Sequence, residues 1–205
     1  RATAQAPAAI GKIYLFNNDQ AEGRYWIEHI TSEDRLRPSN DALISVESST
    51  SGAISASREI GPSTSKRMTV SFDAVTTLPA DQTNAIIGIG AAGSDYHAYA
   101  QVPIVIRMFN DGYFSVYDGT RFVRSDVRHA ANTKYSIRAG IDLERQTYSV
   151  YVTLPDGTEQ QIAQDFAFRA TAQAPAAIGK IYLFNNDQEA GRYWLENITL
   201  TDEKE

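Results

Sequence analysis

Two arginines and three tyrosines fall where a β-strand would present them to solvent. Arg107, Tyr113 and Tyr117 lie around the turn in IVIRMFNDGYFSVYDG, and Arg138 and Tyr151 lie on the alternating segments KYSIRAGIDL and TYSVYVTL. Rings beside guanidinium groups suit polyhydroxylated ligands. The C–H face of a pyranose packs on Tyr, its hydroxyls accept hydrogen bonds from Arg, and a carboxylate substituent takes both arms of a guanidinium. The segment GSDYHAYAQ adds Tyr96, His97 and Tyr99 on a stretch that reads as a loop, and binding residues concentrate on loops. These eight residues are the candidate carbohydrate-binding set, provided that their strands neighbour one another and form one shallow trough. The plain alternative is that outward tyrosines merely cover a pleated sheet, where they are favoured anyway.

Charge narrows the sugar reading if the cations converge, the plain alternative being a solvated face. Residues 104–138 hold Arg107, Arg121, Arg124, Arg128, Lys134 and Arg138 against Asp111, Asp118 and Asp126, a local +3 in a chain of net charge −6. Convergence of these cations would favour an acidic glycan. The overall negative charge, with no long Lys/Arg run, argues against nucleic acid. The chain has no cysteine, so neither a disulfide framework nor a thiolate metal site is available.

Catalytic patterns are weak. His29, His97 and His129 show no metal-ligand spacing, and no strand carries the spaced carboxylates of a glycosidase. YSIRAG is similar to the Tyr-x-Lys-x-Gly strand of alginate-lyase jelly rolls. The companion Gln-Ile-His strand is missing, because QQIAQ has Ala163 in the histidine's place. No catalytic residue is assigned.

These side chains need strands to position them. RMTVSFDAV alternates Met68, Val70, Phe72 and Ala74 against polar residues, KYSIRAGIDL does so with Tyr135, Ile137, Ala139 and Ile141, and TYSVYVTL with Tyr148, Val150, Val152 and Leu154. LPDGT is a turn in which Pro155 presets the first position and Gly157 supplies positive φ. In the Arg107 hairpin, a two-residue loop would set a charge on the apolar face. A three-residue loop, Asn110 to Gly112 with Gly112 left-handed, instead pairs Arg107 with Ser115 and Phe109 with Tyr113. That register predicts Ile104, Ile106, Met108, Phe114 and Val116 in the core. No amphipathic helix is legible, and seven or more antiparallel strands predict an all-β, two-sheet sandwich or jelly roll. Trp26 and Trp194 sit beside aliphatic strand residues and read as core.

A long repeat sets the module boundaries. Residues 1–34 match residues 169–202 at 28 of 34 positions, an offset of 168. One period is the size of an ordinary domain, so the expectation is that residues 38–205 form a complete sandwich and residues 1–37 the two-strand tail of a preceding tandem module. Residues 11–31 then compete with residues 179–199 for the same slots, by exchange between molecules, by displacement, or as the legitimate strand pair of this sandwich. His29 is Asn197 in the second copy, so chemistry common to both copies cannot depend on it.

NTKYSIRAGIDLERQTYSVYVTLPDGTEQQIAQDFAFRA, followed by IGKIYLFNN and GRYWLENITLT, resembles the closing half of the concanavalin A-like (laminin G-like) jelly rolls attached to bacterial polysaccharide-degrading enzymes. In these, a strand ending Asp-Leu precedes a Thr-Tyr-x-Val strand, a Phe-x-Phe segment and a final Asp-Asn-Ile/Val strand; Glu196 departs from that last pattern. The resemblance covers roughly residues 132–202. It implies a carbohydrate-binding-module-like sandwich that binds polysaccharide, secreted or at the cell surface, and it extends to this chain the structural calcium that such domains often hold, with no ligand assigned. Secretion or surface attachment is expected to be encoded outside these residues, and membrane insertion is not expected, since no apolar run is long enough.

Three functions remain open at this level. One is a non-catalytic carbohydrate-binding module that targets an attached enzyme, repeated in tandem with neighbouring copies to raise avidity. A second is a structural or adhesive repeat of a surface protein, and a third is a polysaccharide lyase or glycosidase.

Overall fold

A computed structural model describes residues 41–45, 54–185 and 191–203. The expectations for residues 1–37, including Trp26, His29 and the first repeat copy, lie outside them. The described residues form twelve strands and two short 3₁₀ turns, Ala80–Gln82 and Tyr99–Gln101. One sheet contains β1 (Leu43–Ser45), β12 (Tyr193–Asp202), β3 (Arg67–Thr76), β8 (Tyr135–Asp142), β9 (Thr147–Thr153) and β10 (Glu159–Ala167), in that order. The other contains β2 (Ile54–Ser63), β11 (Ile178–Asn185), β4 (Ala85–Ala91), β5 (Ile104–Met108), β6 (Tyr113–Tyr117) and β7 (Phe122–Arg128). For brevity these are the β3–β8 sheet and the β5–β6 sheet. All the strand pairings are antiparallel.

The core lies between the sheets and follows the sequence alternation. Met68, Val70, Phe72, Ile137, Ala139, Val150 and Val152 from one sheet meet Ile87, Ile89, Ile104, Ile106, Phe114, Ile181 and Leu183 from the other, all within 2% of complete burial. The hairpin register is as expected: Ile106 faces Val116, Arg107 faces Ser115, and Met108 faces Phe114. Gly112 takes φ 82° in its turn, and the Phe109 amide donates to the Tyr113 carbonyl at 3.1 Å. Trp194 is buried at 1% exposure but belongs to the face opposite Tyr193 and Leu195, which enter the intersheet core.

A second apolar cluster was not legible. β4 is buried along nearly its whole length because the segment 92–103 folds over the outer face of its sheet. There Ile86, Val102, Val105, Tyr182 and Phe184 form a small core, with Tyr96, Tyr99, Tyr117 and Phe122 packed on it. The close approach explains two glycines in β4. A Cβ at Gly88 would lie 2.9 Å from Val102 Cγ1, and one at Gly90 would lie 2.5 Å from the Tyr96 ring. Ser94 anchors the segment through a 2.7 Å contact with the Tyr182 hydroxyl, and Lys180 Nζ donates to the Ser94 carbonyl at 2.7 Å. No helix among the described residues is long and apolar enough to cross a membrane.

Candidate functional site

The eight expected residues do not form one trough. Arg107, Tyr113 and Tyr117 lie on the outer face of the β5–β6 sheet, whereas Arg138 and Tyr151 lie on the outer face of the β3–β8 sheet. The core separates the two faces, so a single platform containing both groups is ruled out. Strand alternation places each residue correctly as outward-facing, but it carries no information about which sheet a strand joins.

The loop aromatics are also reassigned. Tyr96 packs at 5.2 Å between ring centroids on Tyr182, and Tyr99 packs toward Phe122 at 6.4 Å, so both turn down onto the sheet. His97 stays exposed, with Nε2 3.7 Å from Asp95. For Tyr96 the physical reason is the bare backbone of β4, where Gly88 and Gly90 leave hollows that Val102 and Tyr96 fill.

On the β5–β6 face the register builds a cross-strand row, Arg107–Ser115–Arg124, with Tyr113 opposite Arg128 beside it. Arg124 was not among the expected site residues, and neither was Arg128. Arg107 is held between two rings, its Cζ 3.6 Å from the centroid of Phe109 and 3.9 Å from that of Phe122. Arg124 and Arg128 both stack on Tyr113, at 4.4 and 4.6 Å. Tyr117 carries Arg169 at 3.5 Å and meets Phe122 edge-on at 5.1 Å. The rings are thus props for cations, and the surface presented to a ligand is guanidinium.

Among the described residues these cations, Arg107, Arg124 and Arg128, have no ion-pair partner, and Arg107 Nε is buried without a hydrogen-bond partner. Burial pulls the Arg107 pKa below its usual value, opposed by the nearby Asp111 and Tyr99. The carboxylates closest in sequence are otherwise occupied or exposed. Asp111 accepts the Tyr113 amide at 3.0 Å, and Asp118 accepts from Thr120 and Arg121, bonds that hold its pKa below the usual carboxylate range. Asp126 is exposed on β7.

The β3–β8 face differs in kind. Arg138 donates through Nε and Nη2 to Glu159 at 2.9 and 2.8 Å and stacks on Tyr151 at 3.6 Å. That pairing raises the Arg138 pKa and lowers that of Glu159. Lys134 is likewise paired, with the buried Glu196 and with Asp73 at 3.9 Å. Arg121 pairs with Asp118 at 3.6 Å, so of the six basic residues in 104–138, Arg107, Arg124 and Arg128 on the β5–β6 face are the ones without an ion pair among the described residues.

His129 is buried against Phe114, its Nε2 2.7 Å from the Phe109 carbonyl, and burial lowers its pKa. It belongs to the scaffold of the hairpin that carries Arg107, its amide donating to the Gly112 carbonyl at 3.0 Å. Among the described residues no three His, Asp or Glu side chains gather as a metal-ligand set.

No family model matches this chain. Over 116 residues, 55% of the chain, it is 35% identical to a gellan lyase of a Bacillus species, and the alignment takes in 5% of that protein's length. Among solved structures, a sialidase superposes with a TM-score of 0.56 at 17% identity, covering 74% of this chain and 14% of the sialidase. Peanut lectin with a nine-residue peptide gives 0.51 at 13% identity, over 78% of this chain and 87% of the lectin. Arcelin-5, a lectin-like defence protein of Phaseolus vulgaris, gives 0.51 at 5% identity, over 82% and 95%. At these identities the likeness is one of fold.

Proposed function

We propose that this concanavalin A-like sandwich is a non-catalytic carbohydrate-binding module for an acidic polysaccharide, held on the outer face of β5, β6 and β7. The observation that carries the reading is the set of three aromatic-propped guanidinium groups, Arg107, Arg124 and Arg128, with no ion pair among the described residues. A stacked guanidinium loses little freedom on binding and presents a fork that matches a carboxylate. Carboxylates repeated along a polymer supply several such partners at once. The relative named as a gellan lyase supports a polysaccharide-directed role, outside the cell and attached to an enzyme that acts on the polymer.

Isothermal titration against polygalacturonate, gellan and a neutral β-glucan tests this reading. Binding to the acidic polymers is expected, weakened at least tenfold by Arg124→Ala and Arg128→Ala together and by raising salt, because exposed charges are screened over about 8 Å at physiological ionic strength. Equal binding by the double variant would refute the site. The repeated segment 1–34/169–202 favours one alternative, a tandem spacer in which no glycan binds. The lyase relative favours another, and release of unsaturated products by the purified chain would establish it.

A further inference from the structure

A cavity of about 200 Å³ opens on the outer face of the β3–β8 sheet, lined in part by Ser71, Asp73, Ser136, Arg138, Thr153 and Asn197. Both cations there are already paired, Arg138 with Glu159 and Lys134 with Glu196 and Asp73, which leaves carboxylates in excess, so nothing in it calls for an anion. Its hydrogen-bonding capacity is not exhausted. Asp73 accepts from the Ser136 hydroxyl through one oxygen and from Asn197 Nδ2, at 2.7 Å, through the other, which leaves lone pairs on both. The hydroxyls of Ser71 and Thr153 make no hydrogen bond among the described residues.

Asn197 is delivered to this cavity by an irregularity. The pairing of β12 with β3 shifts between Glu196 and Thr199, and Asn197 takes φ 55° there. A left-handed non-glycine residue at a bulge is a typical way of re-aiming a side chain. Next to the cavity the face stays low. Thr69 pairs with Gly140, which pairs with Ser149, and a Cβ at Gly140 would meet nothing within 4 Å. Carboxylate, amide and hydroxyl groups around a depression of this volume, beside a shallow hydroxyl-bearing strip, fit one hexopyranose unit of a neutral glycan.

We infer that this cavity is a second glycan site and that one sandwich bridges two polysaccharide chains, a neutral one on the β3–β8 face and an acidic one on the β5–β6 face. The bridging rests on the reading proposed above for the second face. The intersheet core holds the two faces back to back, so one strand of polymer cannot occupy both in the manner of a single groove.

A sandwich-capture assay tests this. Beads bearing polygalacturonate are loaded with the full chain, washed, and offered fluorescent galactomannan or fluorescent mixed-linkage β-glucan separately. The wild-type chain is expected to capture at least one neutral polymer. Asn197→Gly removes the cavity amide while relieving the left-handed backbone, and Asp73→Asn keeps the shape but removes the charge. Each is expected to reduce capture at least tenfold while loading onto polygalacturonate stays within twofold. Failure of the wild type to capture either neutral polymer, or undiminished capture by both variants, overturns the inference. A wild-type chain that does not load onto polygalacturonate, yet captures neutral polymer when tethered through a terminal tag, refutes the acidic face and the bridging but leaves the cavity standing.

Discussion

Replacing Arg107 by alanine separates binding from folding more cleanly than any other change on the β5–β6 face. Two opposing effects act on stability. The variant loses cation–π contact with Phe109 and Phe122, about 0.5–1 kcal/mol each at a partly exposed site. It also removes the buried, unpartnered Nε, a donor whose desolvation costs about 1–3 kcal/mol. The two nearly cancel, so the melting temperature should move by no more than roughly 4 °C. Affinity has no such compensation. A charge-assisted hydrogen bond contributes about 1.5–3 kcal/mol, so the Kd for polygalacturonate should rise roughly 10- to 150-fold. Arg107→Lys keeps the charge but not the planar fork between the rings, and should recover only part of the loss. Titration calorimetry at fixed salt, paired with thermal melts, makes the comparison. An Arg107→Ala Kd within twofold of wild type, or an Arg107→Lys chain that binds as wild type does, would show that the stacked guanidinium is structural.

His129 sets a pH dependence of stability. Burial lowers its folded-state pKa, so its contribution is present above the unfolded value of about 6.5 and is lost as pH falls through the lower folded value. Denaturant titrations between pH 7.5 and 5.5 should show this decline in the wild type and a smaller one in His129→Gln; equal slopes would refute it. Gly90→Ala drives a methyl group into the Tyr96 ring and should destabilise the chain by about 1–3 kcal/mol, with increased proteolysis within residues 92–103 as the readout. Deleting residues 1–37 should leave a folded, ligand-binding chain, because β11 and β12 already supply the strand sequences that the first copy repeats. Loss of cooperative unfolding in the truncated chain would place the module boundary elsewhere.

Alternation along Arg67–Thr76, Tyr135–Asp142 and Thr147–Thr153 determined by itself which side chains enter the core, because successive residues of a strand must point to opposite faces. Turn chemistry did the same for the Arg107 hairpin: a charge on the apolar face is costly enough to select one register, and Gly112 permits it. The sandwich and the outward placement of Arg107, Tyr113, Tyr117, Arg138 and Tyr151 were therefore legible without coordinates. Partnership was not. Whether β8 and β9 share a sheet with β5 and β6 depends on pairings between segments far apart in sequence, and alternation is blind to these. The same gap hid the role of residues 92–103, since Tyr96 looks exposed until Gly90 is seen to leave room beneath it, and Tyr99 until Phe122 is seen beside it. Only tertiary packing divided one supposed trough into two faces of different charge, and only it put Arg124 and Arg128 on the ring of Tyr113.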